Sequence, residues 1–160
     1  MKHIFIVNKI SGKKRGLKTV SIIEDIMQKH HYDYEIHITQ YPTHAKKIAA
    51  KYKKEADVTI YAVGGDGTIL EVVNGIEEGI PLGIIPCGSG NDFYRLLGSD
   101  NSDLEKIIED TIDAKTVWID YGISDRMKFI NGTSLGIDAL VNYDASSMIR
   151  KTVFDKNSAY

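Results

Sequence analysis

Short apolar runs of strand type alternate with segments of helical period along most of this chain, which predicts an α/β fold of parallel strands joined by crossover helices. A second observation supports that class. The run at residues 58–63 passes directly into Gly64-Gly65-Asp66-Gly67-Thr68 and then into a helical pattern carrying Ile69, Val72, Val73 and Ile76. Glycines at such a junction let the backbone turn sharply and approach a ligand, and the following helix offers unpaired N–H groups and a positive dipole end to a phosphate.

The elements follow in order. Residues 3–7 form the first strand, Leu17, Val20, Ile23 and Met27 share one helical face, and residues 34–39 form the second strand. Ala45, Ile48, Ala49 and Tyr52 repeat the i, i+3, i+4, i+7 spacing of a second helix. Strand and helix at residues 58–76 make the third unit, residues 82–85 a fourth strand, and Leu104, Ile107, Ile108 and Ile112 the face of a last helix. After Ala114 the pattern changes. Residues 116–122 and 127–131 predict two antiparallel strands joined by a polar turn at Ser124-Asp125-Arg126, a hairpin too small to stand alone. The expected organisation is an α/β nucleotide-binding domain at residues 1–113 and, at residues 114–160, the truncated start of a β-rich second domain.

Composition excludes several classes. The chain has 160 residues, a net charge of −2, 42% hydrophobic and 26% charged residues, enough for one compact core. No apolar stretch reaches the roughly 18 residues of a membrane span, and residues 2–7 are too short for a signal sequence, so a cytoplasmic location is expected. The single cysteine, Cys87, excludes an internal disulfide and any CxxC pair, and reads as a small buried filler. Lys13, Lys14, Arg15, Lys46, Lys47, Lys51, Lys53 and Lys54 form either a solvated face or a surface for anionic headgroups. Asp100, Asp103, Glu105, Glu109, Asp110 and Asp113 balance them, so nucleic-acid binding is not expected.

Four polar segments follow predicted strands, and in open α/β sheets that border is where ligands bind. Asn8-Lys9-Ile10-Ser11-Gly12 could hold phosphate through small residues and amides, or be a solvated turn. Thr39 offers a hydroxyl, and the adjoining Thr43 reads as the N-cap of the next helix. The Gly64–Thr68 loop lacks the GxxxxGK[ST] of a P-loop and places Leu70 where a dinucleotide fingerprint needs its third glycine, which argues against both. Asn74 reads as the exposed face or end of the helix. Pro86-Cys87-Gly88-Ser89-Gly90-Asn91-Asp92-Phe93 crowds glycines, a hydroxyl, an amide and a carboxylate after the fourth strand; Asn91 as an N-cap and Asp92 as a first-turn acid are the structural alternative.

Gly64-Gly65-Asp66-Gly67-Thr68 with Glu71-Val72-Val73-Asn74-Gly75, followed by Pro86-x-Gly88-Ser89-Gly90-Asn91-Asp92-Phe93, resembles the diacylglycerol kinase catalytic domain, which sphingosine kinases share. Asn8-x-x-Ser11-Gly12 is similar to that family's opening loop, and Phe129-Ile130-Asn131 through Gly136-Ile137-Asp138-Ala139 to its entry into a second domain. The resemblance implies a three-layer, open, mostly parallel sheet with helices on both faces, of the NAD kinase/diacylglycerol kinase type. It implies transfer of the γ-phosphoryl of ATP to the hydroxyl of diacylglycerol or a related lipid, with Mg2+ as cofactor. Asn8, Lys9, Ile10, Ser11, Gly12, Thr39, Gly65, Asp66, Gly67, Thr68, Ile69, Leu70, Glu71 and Ser89 would then line the ATP site. Asp66 and Asp92 would be the acidic centre, supporting magnesium directly or through water; in the sphingosine kinase branch the loop aspartate is assigned to activating the lipid hydroxyl.

The implied partner is a lipid at the inner membrane face, reached peripherally, with a homodimer allowed. Three positions depart from the family: Lys9 stands for proline, Leu70 for asparagine and Ser89 for threonine. Leu70 makes the loop resemble that of NAD kinases, which keeps phosphorylation of a soluble substrate as an alternative; a nucleotide-binding fragment without chemistry is another. Bacterial members are longer, so the general base is expected beyond residue 160 and the chain reads as a fragment.

Overall fold

Four of the apolar runs pair into one sheet. In the computed structural model, which describes residues 1–12, 15–98 and 103–132, β1 (Lys2–Val7), β2 (Asp33–Ile38), β3 (Val58–Gly64) and β4 (Leu82–Pro86) are parallel and ordered β2-β1-β3-β4. The helices are α1 (Arg15–Lys29), α2 (His44–Ala49, continued by a 3-10 turn over Ala50–Tyr52), α3 (Asp66–Val73), α4 (Asp92–Leu96) and α5 (Leu104–Asp113).

Side chains alternate across each strand, and both faces are covered. Ile4, Ile6, Ile60, Ala62 and Ile84 pack against α2 and α3, whereas Phe5, Val7, Tyr61, Val63 and Ile85 pack against α1 and α5. This is the three-layer α/β arrangement that the resemblance implies, and it explains why the strands read as nearly continuous apolar runs. Right-handed crossovers require it: the step from β1 to β2 runs one way along the sheet and the steps to β3 and β4 the other, which puts α1 opposite α2 and α3.

Two expectations are corrected. Leu17 does not face the sheet but is 45% exposed; the buried face of α1 is Gly16, Thr19, Ile23, Ile26 and Met27. The helix start lies so close to the β1 loop that a Cβ on Gly16 would sit 2.2 Å from the Asn8 carbonyl oxygen, so small residues face inward and leucine is turned out. The hairpin is also shorter than expected. It consists of β5 (Gly122–Ser124) and β6 (Met127–Phe129), while residues 116–121 form no strand. Val117 and Trp118 are exposed, and strand propensity alone makes no ladder without a neighbouring backbone. Asp125 and Arg126, with φ of 47° and 68°, form a two-residue turn of the type I′ class that suits a twisted hairpin.

Residues 133–160, including the Gly136-Ile137-Asp138-Ala139 segment, lie outside the described residues, as do Lys13, Lys14 and Asp100. Among the described residues no helix is long and apolar enough to cross a membrane.

Candidate functional site

The sheet reverses its direction of winding between β1 and β3, and a crevice opens at that switch point outside the carboxyl ends of the strands. Backbone bonds extend the ladder one step beyond the strands: Asn8 N–H donates to Val63 O at 2.9 Å, Thr39 N–H to Val7 O at 2.9 Å and Cys87 N–H to Gly64 O at 2.8 Å. The four loops singled out in the sequence therefore leave the sheet along one border.

Close backbone approach fixes these loops against each other. Gly12 has φ of +54°, and a Cβ there would meet the Cys87 carbonyl oxygen at 2.0 Å. A Cβ on Gly88 would lie 2.5 Å from the Gly65 Cα. Asn91 holds the latter pair in place, because its Oδ1 accepts from Gly88 N–H at 2.9 Å and its Nδ2 donates to Gly88 O at 3.0 Å. It precedes α4 as expected of an N-cap, yet its side chain makes no capping bond, since both polar atoms are used on Gly88.

The narrower of two clefts, about 340 Å3, is lined by Asn8, Lys9, Ile10, Ser11, Thr39, Gly65, Gly67, Thr68 and Glu71 together with Tyr41 and Pro42. Asn8 ties two of its walls: Nδ2 donates to Thr68 Oγ1 at 3.0 Å, and Oδ1 accepts from Ile10 N–H at 3.2 Å. Lys9 Nζ reaches Gln40 Oε1 at 3.0 Å across the entrance. Glu71 accepts from Thr43 N–H at 2.9 Å and Ala45 N–H at 3.1 Å, so this carboxylate caps α2 from the neighbouring helix. Thr43 itself makes no side-chain capping bond; it sits at φ 69°, a costly conformation for a β-branched residue, and Glu71 restrains it there.

The wider cleft, about 690 Å3, lies between the starts of α3 and α4 and the β5–β6 hairpin, with Asp66, Leu70, Asp92 and Phe93 on one side and Met127, Lys128 and Phe129 on the other. Gly67 lines both clefts, and among the described residues nothing lies within 4 Å of where its Cβ would be. Asp66, in the first turn of α3, accepts from Phe93 N–H through Oδ1 at 3.2 Å. The position a Gly90 Cβ would take is 3.2 Å from Asp66 Oδ2 and 3.6 Å from each Asp92 carboxylate oxygen, so the two acids flank one notch. Hard oxygen donors of this kind suit magnesium, which keeps several waters and takes phosphate oxygens beside one or two carboxylates. The pair fits that role; among the described residues no group of three or more His, Cys, Asp or Glu forms a complete protein cage.

Other expected site residues lie elsewhere. Ser89 is exposed and lines neither cleft, Gly12 shapes its loop without lining one, and Ile69, 1% exposed and part of the core, borders the wider cleft and not the narrower. Leu70 is on the wall of the wider cleft and not the narrower. Asn74, read as the exposed face or end of the helix, does end α3 but is half-buried: it donates through Nδ2 to Leu70 O and Lys128 O, each at 2.9 Å, and accepts through Oδ1 from Lys128 N–H at 2.9 Å. Tyr41, Pro42 and the hairpin residues were not anticipated as walls; the place of Gln40-Tyr41-Pro42 after Thr39 was the only signal for the first two.

The model of the diacylglycerol kinase catalytic domain matches residues 2–123. A diacylglycerol kinase of Bacillus subtilis (strain 168) is 35% identical over 151 residues, covering 91% of this chain and 49% of the relative. One from Staphylococcus haemolyticus (strain JCSC1435) is 34% identical, covering 92% and 46%. The crystal structure of a diacylglycerol kinase from Bacillus anthracis str. Sterne superposes with a TM-score of 0.64 at 28% identity, covering 80% of this chain and 45% of that one. The chain spans about half the length of the curated relatives it matches.

Proposed function

The chain belongs to the diacylglycerol kinase catalytic domain family, and from that premise we propose that it forms the nucleotide-binding portion of an ATP-dependent lipid kinase. The reaction would move the γ-phosphoryl group of ATP to the hydroxyl of diacylglycerol or a related lipid: the bond from the γ-phosphorus to the β,γ-bridging oxygen breaks and ADP leaves, a P–O bond to the lipid oxygen forms, and the hydroxyl proton passes to a base or to water. The observation that carries this reading is the meeting of two clefts at Gly67, one beneath the strand ends and one flanked by Asp66 and Asp92.

In this reading the narrow cleft holds the nucleotide between the Asn8 loop and Tyr41-Pro42, and the phosphates follow the open Gly67 backbone toward the wider cleft. The first turn of α3 supports negative charge there. Asp66 and Asp92 would hold Mg2+, which neutralises phosphate charge and so favours transfer. Phe93 N–H fixes the Asp66 carboxylate through Oδ1 and aims Oδ2 at the notch. Glu71 contributes by keeping the Thr43 segment over the nucleotide cleft. The acceptor would be drawn peripherally from a membrane whose anionic headgroups meet the exposed Lys46, Lys47, Lys51 and Lys54. Phosphorylation of NAD rests on the Gly64–Thr68 loop together with Leu70, and the Leu70 side chain borders the wider cleft.

The test supplies the gene's full-length product with γ-labelled ATP, Mg2+ and a lipid panel in mixed micelles. Label is expected in diacylglycerol or a close analogue, and Asp66→Asn should lower the rate by at least about a hundredfold. Label in no lipid, with NADP formed from NAD, would move the reading to a soluble acceptor; neither product would leave a nucleotide-binding module.

A further inference from the structure

Lys128 turns its backbone away from its own hairpin. Ser124 and Met127 flank the two-residue turn and form the hydrogen-bonded pair, so the next pair, Ile123 with Lys128, is the non-bonded kind whose N–H and C=O point outward from β6. One side chain takes both groups: the Asn74 carboxamide donates to Lys128 O and accepts from Lys128 N–H, each at 2.9 Å. The amide thus stands where a third strand would. Its second Nδ2 bond goes to Leu70 O in the helix it ends, and Lys128 Nζ returns to Ile76 O at 3.0 Å. A carboxamide offers a donor and an acceptor on one planar carbon; a carboxylate offers acceptors only.

Consequences follow from where these two partners sit. Asn74 closes α3, the helix whose first turn carries Asp66, and Lys128 belongs to the opposite wall of the wider cleft. We infer that Asn74 is a positioning residue for the acceptor: it fixes the hairpin wall against the helix bearing Asp66, and so sets the width of the wider cleft while touching neither substrate. The kinetic part of this inference rests on the phosphoryl-transfer reading, whereas the clamp itself does not.

Amide hydrogen exchange and steady-state kinetics on full-length Asn74→Asp and Asn74→Ala test it. Asp keeps the acceptor for Lys128 N–H but turns its other oxygen, an acceptor only, toward the Lys128 and Leu70 carbonyl oxygens, so its effect should at least match that of alanine. Exchange at the Lys128 amide is expected to quicken about tenfold in the alanine variant, and KM for the lipid to rise severalfold in both while KM for ATP stays within about twofold. Unchanged exchange at Lys128, or quickened exchange with an unchanged lipid KM, overturns the inference. So does an equal rise in both KM values, which would mean general loosening of the fold. A wild-type protein inert toward every lipid overturns the functional reading and the kinetic half with it; a transferring wild type whose variants keep the parental lipid KM overturns the role of Asn74 alone.

Discussion

At the carboxyl ends of β1 to β4 the backbone is positioned by a core covered on both faces and by glycines that let one loop touch the next. The β5–β6 hairpin differs in every respect: its strands are three residues each, most of its side chains are exposed, and it meets α3 through Asn74 and Lys128. Burial secures the first region, so single polar changes there should matter less than volume and backbone changes. Directional hydrogen bonds secure the second, so apolar truncations there should matter little.

The strongest way to break this contrast is Ile60→Ala. Ile60 is fully buried in β3, and losing its side chain should cost about 3–4 kcal/mol in urea unfolding; a loss below about 1 kcal/mol would mean that the sheet core does not carry the stability. Gly12→Ala comes next. It combines a positive φ with a 2.0 Å approach to the Cys87 carbonyl, so a loss of about 3 kcal/mol is expected, along with weaker nucleotide binding.

A smaller effect should come from the far end of the sheet. Lys2 first, then the Tyr52 hydroxyl and His37, hold the Glu35 carboxyl down to about 2. A depressed carboxyl contributes stability that is complete above its unfolded value near 4.5 and is lost as pH falls through about 2. Glu35 is more than a third exposed, which reduces the effect to about 1 kcal/mol. Glu35→Gln should therefore flatten the acid limb of the stability curve between those two pH values and barely change stability at pH 2. The smallest change is expected for Trp118→Ala, 82% exposed beside the hairpin, at under about 0.5 kcal/mol; a cost of 2 kcal/mol would show that the hairpin side has a core of its own.

The same contrast explains what could be read in advance. Strand positions in the sheet, the helical faces of Ala45, Ile48 and Ala49 and of Ile69, Val72 and Val73, and the glycine junctions were legible because periodicity and turn chemistry are local; α3 ends at Val73, short of Ile76, and Tyr52 falls in the 3-10 turn after α2. Leu17 misled because the close approach at Gly16 rotates α1. What Glu71 and Asn74 bond was not legible for a different reason: each reaches backbone groups far along the chain, Thr43 and Ala45 in one case and Lys128 in the other. Nothing in a helical pattern reports which distant amide a side chain will reach. Residues 116–121 had strand-forming side chains, but a strand exists only with a partner, and among the described residues no backbone pairs with them.

The central claim is that the strand-end loops jointly bind ATP, and calorimetric titration of this chain with ATP and Mg2+ tests it most directly. The account predicts saturable heat for one site with a Kd between roughly 1 μM and 1 mM, weakened by Gly12→Ala. Absence of heat at millimolar nucleotide, from a sample whose circular dichroism shows the folded α/β sheet, would contradict it.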